Sequence, residues 1–203
     1  MENKTDDLNH YQIIRIDGRN SFVETKSDSF SYGKCHMEFS QYDLTRPKGE
    51  RQTGHVHIYI GVPDFMHLAQ EAVSGALHMR AKLQREKNDN KPLFEQLGGT
   101  SAERLAYFGR SRPDGKSLSR IVKLILGQKV DYLLVADSGA GETDSKGLIV
   151  PRFGKNPENH VSVGLNWRSL NELLLISQIH YQCWLTAQYV KSSDTAPLYK
   201  DRK

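Results

Sequence analysis

His55-Val-His-Ile-Tyr-Ile-Gly-Val-Pro-Asp-Phe-Met-His-Leu68 is the stretch on which the fold turns, because its pattern recurs in the other half of the chain. Moved forward by 105 residues it falls on His160-Val-Ser-Val-Gly-Leu-Asn-Trp-Arg-Ser-Leu-Asn-Glu-Leu173. Val56, Ile58 and Ile60 alternate with His55, His57 and Tyr59, and Val161, Val163 and Leu165 alternate in the same way. Period two with one apolar face predicts a half-buried strand. Each strand is followed at once by apolar residues spaced three and four apart. In the first copy these are Phe65, Leu68, Ala69, Ala72, Val73, Ala76, Leu77 and Leu83; in the second, Leu170, Leu173, Leu174, Tyr181, Trp184 and Leu185. That spacing predicts an amphipathic helix. Asp64 is the expected N-cap of the first helix, and Ser169 with Glu172 the capping box of the second. Gly75 predicts close packing within the first helix rather than a break. Leu175, Ile176 and Ile179 widen the second apolar side, which predicts burial from more than one direction, by a second copy of the chain.

Working outward, residues 11–16, 21–25 and 32–43 read as strands ahead of the first copy. Cys35, Met37 and Phe39 lie on one side of the third, and Lys34, His36, Glu38 and Ser40 on the other. Residues 104–108, 120–126, 132–136 and 148–153 are the corresponding expectations in the second half, with 138–147 a polar loop and 148–153 an edge because of Pro151. The expected fold class is α+β, a tandem repeat of about four antiparallel strands followed by one helix. Its parts are a polar tail at 1–10, repeat one at 11–85, a linker at 86–103, repeat two at 104–190 and a flexible tail at 191–203.

The chain has 203 residues, 37% of them hydrophobic, enough for a substantial core without a metal or disulfide staple. No run approaches the ~20 apolar residues of a membrane span, and the acidic, polar start reads as neither signal nor transit peptide. Cys35 and Cys183 lack metal-ligand or CxxC spacing and are expected to be buried small hydrophobes in a reducing cytoplasm. Charge is divided unevenly. Residues 1–103 carry 13 Lys+Arg against 15 Asp+Glu, whereas residues 104–203 carry 15 against 9. Within 104–129, seven cations face the single acid Asp114, the footprint of a polyanion partner. A basic face meeting an acidic protein stays open as a duller reading.

The doubled order of strands and helix, together with Tyr32-Gly-Lys-Cys-His-Met37, resembles the Whirly single-stranded DNA-binding proteins and their relatives, the PUR-repeat proteins. The hexapeptide is similar to the Lys-Gly-Lys-Ala-Ala-Leu strand motif of the Whirly family. It keeps Gly33, Lys34 and an apolar residue at Met37 and departs at the first Lys and both Ala. In order of elements the likeness spans residues 11–190. It implies two packed sheets with helices behind them, single strands bound along the sheets, and tetramers.

Binding an unpaired strand takes cations for phosphates and exposed rings for bases. The candidates are Tyr32, Lys34, His36 and Tyr42 on one strand face, and Tyr59 beside His55 and His57. In the second half they are Tyr107, Arg110, Arg112, Arg120, Lys123, Tyr132, Arg152, Phe153 and Lys155. These point to single-stranded DNA with little sequence preference, in a homo-oligomer, with no cofactor and no membrane. RNA bound by the same architecture is the first alternative. The second is a metal-dependent β-rich enzyme using His55 and His57, two imidazoles at i and i+2 on one face. That spacing is similar to a metal-binding strand of cupins, but no acid lies between Ile58 and Val62, and His160 is expected to lie far off. Gly139 to Gly147 is no phosphate loop, because Lys146 precedes a strand rather than a helix. Neither a GxSxG elbow nor an HExxH pair occurs, so no catalytic constellation is expected.

Overall fold

A computed structural model describes residues 10–195. Of the two expected tails, residues 1–9 and 196–203 lie outside the described residues. The first sheet is an antiparallel meander of β1 (Gln12–Asp17), β2 (Ser21–Lys26), β3 (Lys34–Tyr42) and β4 (Gln52–Gly61), paired in chain order. The second holds β5 (Phe94–Thr100), β6 (Ser117–Leu126) and β7 (Tyr132–Thr143). The far edge of β7 is shared by two shorter strands, β8 (Ile149–Pro151) beside Gly141 to Thr143 and β9 (Asn159–Leu165) beside Tyr132 to Ser138. Four helices complete the architecture: α1 (Val62–Val73), α2 (Ala76–Glu86), α3 (Ala102–Tyr107) and α4 (Trp167–Thr195). The fold is α+β. The helix starts at Val62 and Trp167 keep the 105-residue offset of the two quoted stretches.

The alternating apolar positions converge on one core. Met37, Phe39, Ile58 and Ile60 of the first sheet join Leu124, Tyr132, Leu134, Val161 and Val163 of the second, with Phe65 and Leu68 of α1 and Leu170, Leu173 and Leu174 of α4. Each such side chain gains about 1.5–3 kcal/mol when removed from water. The helix from the end of the chain seats on the sheet from its start. Phe30 meets the rings of Tyr181 and Trp184 at 5.2 and 5.9 Å. Deeper in the same contact, Thr25 Oγ1 and Ser177 Oγ lie 2.6 Å apart, both buried. Ser177 donates its single hydroxyl hydrogen to the Leu173 carbonyl, so Thr25 donates to Ser177.

Several local expectations are overturned, each for an identifiable reason. The first helix breaks at Gly75, which takes a left-handed φ of 82° with open space around it, so α1 and α2 are separate. Gly61 rather than Asp64 is the N-cap of α1, and Asp64 sits in its first turn. Asn166, not Ser169, caps α4: its side-chain oxygen accepts from the Ser169 N–H at 2.8 Å, while Glu172 bonds Arg168. Residues read as linker supply β5, and residues read as strand at 104–108 belong to α3, whose N-cap Ser101 accepts from the Arg104 N–H. The expected polar loop is largely strand. Gly139 and Gly141 let Phe153 and Ile149 lie across β7, where an added Cβ would meet those side chains at 2.8 and 2.9 Å.

On α4 the widened apolar side is only partly covered among the described residues: Ile176 is half-buried, while Leu175 and Ile179 are exposed. The helix also runs on to Thr195, through the start of the expected flexible tail. Cys35 is buried, which pushes its thiol up to about 12, whereas Cys183 is exposed, contrary to expectation. Among the described residues no helix is long and apolar enough to cross a membrane.

Ser177→Ala leaves the Thr25 hydroxyl buried without an acceptor and is expected to cost about 1–3 kcal/mol in urea unfolding. Adding Thr25→Val is expected to recover most of that loss, because both partners are then apolar; a double variant no better than the single one refutes this account of the contact.

Candidate nucleic-acid interface

A cleft of about 910 Å³ opens where β4 and the start of β3 face β5, β6 and α3. On β5, Gln96, Gly98 and Thr100 alternate onto one face, and the register sets Gly98 opposite Arg120 and Thr100 opposite Leu118 of β6. Arg120 donates from Nη1 to Thr100 Oγ1 at 3.0 Å, which holds its guanidinium along the wall. Burial presses that guanidinium down from its ordinary value, but arginine remains a cation at any working pH. Lys34, Arg104, Arg110 and Arg112 also line the cleft, with the rings of Tyr32, Tyr59 and Phe108, and among the described residues no Asp or Glu does. Arg112 is already neutralised, donating to Asp114 and, at 2.8 and 2.5 Å, to Glu158. Lys34, Arg104, Arg110 and Arg120 make no salt bridge among the described residues, so the cleft carries uncompensated positive charge.

Tyr32, Lys34, Tyr59, Arg110, Arg112 and Arg120 are thus brought together from the sequence candidates. Tyr32 and Gly33 lie in and just after a 3-10 turn ahead of β3, so the motif enters the strand only at Lys34. The other candidates are not there. Tyr132 is 1% exposed in the core, with its hydroxyl 3.4 Å from His78 Nδ1, because β7 turns that residue inward beside Leu165. His36 is buried rather than outward. Tyr42 sits at the far end of β3, donating to the Arg19 carbonyl. Lys123 points to the opposite face of β6 and pairs with Glu95; Arg152 pairs with Glu142. Tyr107 is 85% exposed but does not line the cleft, nor do Phe153 and Lys155. The reading missed Arg104, Phe108, Gln96 and Thr100 as site residues. Ser101 three residues before Arg104 was the available signal, an N-cap that would have turned this basic stretch into a helix beside the site.

Beside the cleft, the polar face of the first sheet is half-buried and closely connected. Cross-strand register aligns Lys26, His36 and Tyr59 in one row and Glu24, Glu38 and His57 in the next. Asp28 accepts from His36 Nδ1 at 2.9 Å, and His36 Nε2 lies 2.9 Å from His57 Nδ1. His55 Nε2 lies 2.7 Å from Glu38 Oε1, and Lys26 bonds the other oxygen of that carboxylate. Tyr59 stacks on His36 at 4.5 Å and also lines the cleft. The imidazoles expected to pair at 55 and 57 do lie edge to face, 4.3 Å apart, but they bond different partners: His55 bonds Glu38 and His57 bonds His36. His160 bonds Asp137 on the second sheet. The hydrogen bond from His55, with help from Lys26, holds the Glu38 carboxyl down at about 2. Burial, reinforced by the His55 and His36 rings, holds His57 down at about 4, and burial lowers His36 in spite of Asp28.

No protein family, curated protein or solved structure matches this chain.

The titration has a definite sign. Below its ordinary value of 6.5 the unfolded chain protonates His57, while the folded chain resists until about 4. Stability is therefore full above pH 6.5 and falls as pH drops toward 4; Glu38 extends the fall from 4.5 toward 2. Urea midpoints taken from pH 7.5 to 4 are expected to show this decline, with His57→Gln flattening it. A wild-type midpoint constant across that range contradicts the assignment.

Proposed function

We propose that the chain binds unpaired nucleic acid, DNA in preference to RNA, in the cleft between its two sheets. One observation carries the reading: among the described residues, four cations without a carboxylate partner and three rings line a single groove to which no acid contributes. A single strand needs that combination, since each phosphate requires neutralising and each unstacked base offers a face. Tyr32, 81% exposed at the rim, and Phe108, 56% exposed, are placed to receive bases. Arg104, Arg110 and Lys34 would meet phosphates. The doubled strand-and-helix order and the Gly33-Lys34 motif support a Whirly-like assignment, within which self-association follows. Leu175 and Ile179 on the open side of α4 are the surface offered to a second copy. Light scattering at micromolar concentration tests that subsidiary point, and a monomeric mass removes it.

Titration of oligo-dT against a duplex of equal length, at two salt concentrations, tests the main reading. Single strands are expected to bind more tightly, with a log–log salt slope of about −0.7 per phosphate contact. Tyr32→Ala should weaken binding by about 1–3 kcal/mol, and Arg110→Ala should reduce the slope by about 0.7. Lys155→Ala, outside the cleft, should change nothing. Equal affinity for duplex, or no salt dependence, sinks the reading; tighter binding of a matched RNA transfers it to RNA.

Gly98 gives a sharper test, since a Cβ there meets nothing within 4 Å and projects from the cleft wall. Gly98→Leu is expected to fill the groove and abolish oligonucleotide binding while leaving the urea midpoint nearly unchanged. Normal binding by a folded Gly98→Leu protein would place the site elsewhere.

A further inference from the structure

The histidine face of the first sheet is more than its hydrogen bonds require. It places three imidazoles and a carboxylate on adjoining strands, half-buried, where polar groups are costly unless satisfied. The ring nitrogens of His36 and His57 and a carboxylate oxygen of Glu38 all lie within 4.8 Å of one another. We propose that His36 Nε2, His57 Nδ1 and one oxygen of Glu38 form a binding site for a single divalent transition-metal ion of the zinc class.

Tautomer and bonding support this set. Asp28 takes the Nδ1–H of His36, which leaves Nε2 as a lone pair aimed at His57. A carboxylate behind a ligating histidine fixes both tautomer and ring orientation, and it is a recurrent partner of metal-bound imidazole. His57 Nδ1 faces that lone pair from 2.9 Å. Two nitrogens on one tetrahedral zinc lie roughly 3.3 Å apart, given bonds of about 2.0–2.1 Å. A small separation of the two rings therefore admits the ion, with His57 then holding its proton on Nε2. Glu38 needs as little change. One oxygen keeps Lys26, while the other leaves His55 for the metal, so the carboxylate stays hydrogen-bonded behind the ion.

The donors arise from a pattern the sheet imposes. His36 and Glu38 are i and i+2 on β3, hence on one face, and the register sets His57 of β4 directly opposite Glu38. Two imidazoles and a carboxylate suit zinc and its first-row neighbours, and they leave a coordination position open. Tyr59 lies stacked between His36 and the cleft, so the ion would sit one ring away from the groove.

The proposal does not depend on nucleic-acid binding and is tested without it. Chelator-treated full-length protein is titrated with Zn²⁺ by calorimetry, and with Co²⁺ by visible absorption. One saturable equivalent per chain is expected, with a rise in melting temperature on adding Zn²⁺. Glu38→Gln and His57→Gln should each remove that equivalent. Asp28→Ala, a surface change that leaves all three donors in place, should weaken Zn²⁺ binding by about 10- to 100-fold. His55→Gln should retain it, because His55 is not a ligand. Should His57→Gln fail to fold, Glu38→Gln and Asp28→Ala decide the matter. The site is overturned if the wild-type protein takes up no saturable Zn²⁺. It is equally overturned if Glu38→Gln and Asp28→Ala bind as tightly as wild type, which would place the ion on other histidines.

Discussion

Everything else in the molecule depends on the seating of α4 against the first sheet. That sheet has an apolar face it cannot bury with its own helices alone, and the helix that helps to close it arrives from the far end of the chain. Phe30 against Tyr181 and Trp184, and Thr25 bonded to Ser177, mark the line of contact. A core shared in this way makes the two halves mutually incomplete. It also brings β4 against β9 and β6, so the polar side of one sheet opens beside the wall of the other.

The resulting cleft concentrates charge that the chain otherwise disperses. Outside it, several cations are matched to a carboxylate, as in Arg15 with Asp17, Lys123 with Glu95 and Arg168 with Glu172. Inside, among the described residues, Arg112 alone is paired with carboxylates, and its bonds to Asp114 and Glu158 tie the segment before β6 to the segment before β9. Surface ion pairs contribute little to stability. The informative feature is that, among the described residues, no acid lines a groove that holds five basic side chains, because low-dielectric walls focus such a field outward.

The polar face beside the cleft behaves differently. Its groups compensate one another through Asp28, His36, His57, His55, Glu38 and Lys26, and burial keeps the two central imidazoles neutral. A network of this kind holds β2, β3 and β4 in one register from the polar side, as the core does from the apolar side. Tyr59 is where the two regions meet, stacked on His36 and open to the groove.

Alternation and helical spacing are local properties, and they were legible in the chain alone. The strands expected at 11–16, 21–25, 32–43 and 55–60 form at 12–17, 21–26, 34–42 and 52–61, and the inward turn of Cys35, Met37 and Phe39 follows from side-chain period, whereas the caps at Gly61 and Asn166 do not. The basic segment with Arg110, Arg112 and Arg120 was equally plain. Tertiary structure decided the rest. β5 carries too few strong β-formers to announce itself, and it exists because β6 needs a partner on that edge. Tyr132 became core instead of contact, because a tyrosine in an alternating run faces whichever side its neighbours bury. That His57 meets His36 as well as its strand neighbour His55 depends on cross-strand register, which no single strand specifies. Composition and period thus determined the strands of the first sheet and which side of each is apolar. Only packing determined which polar groups were left facing one another.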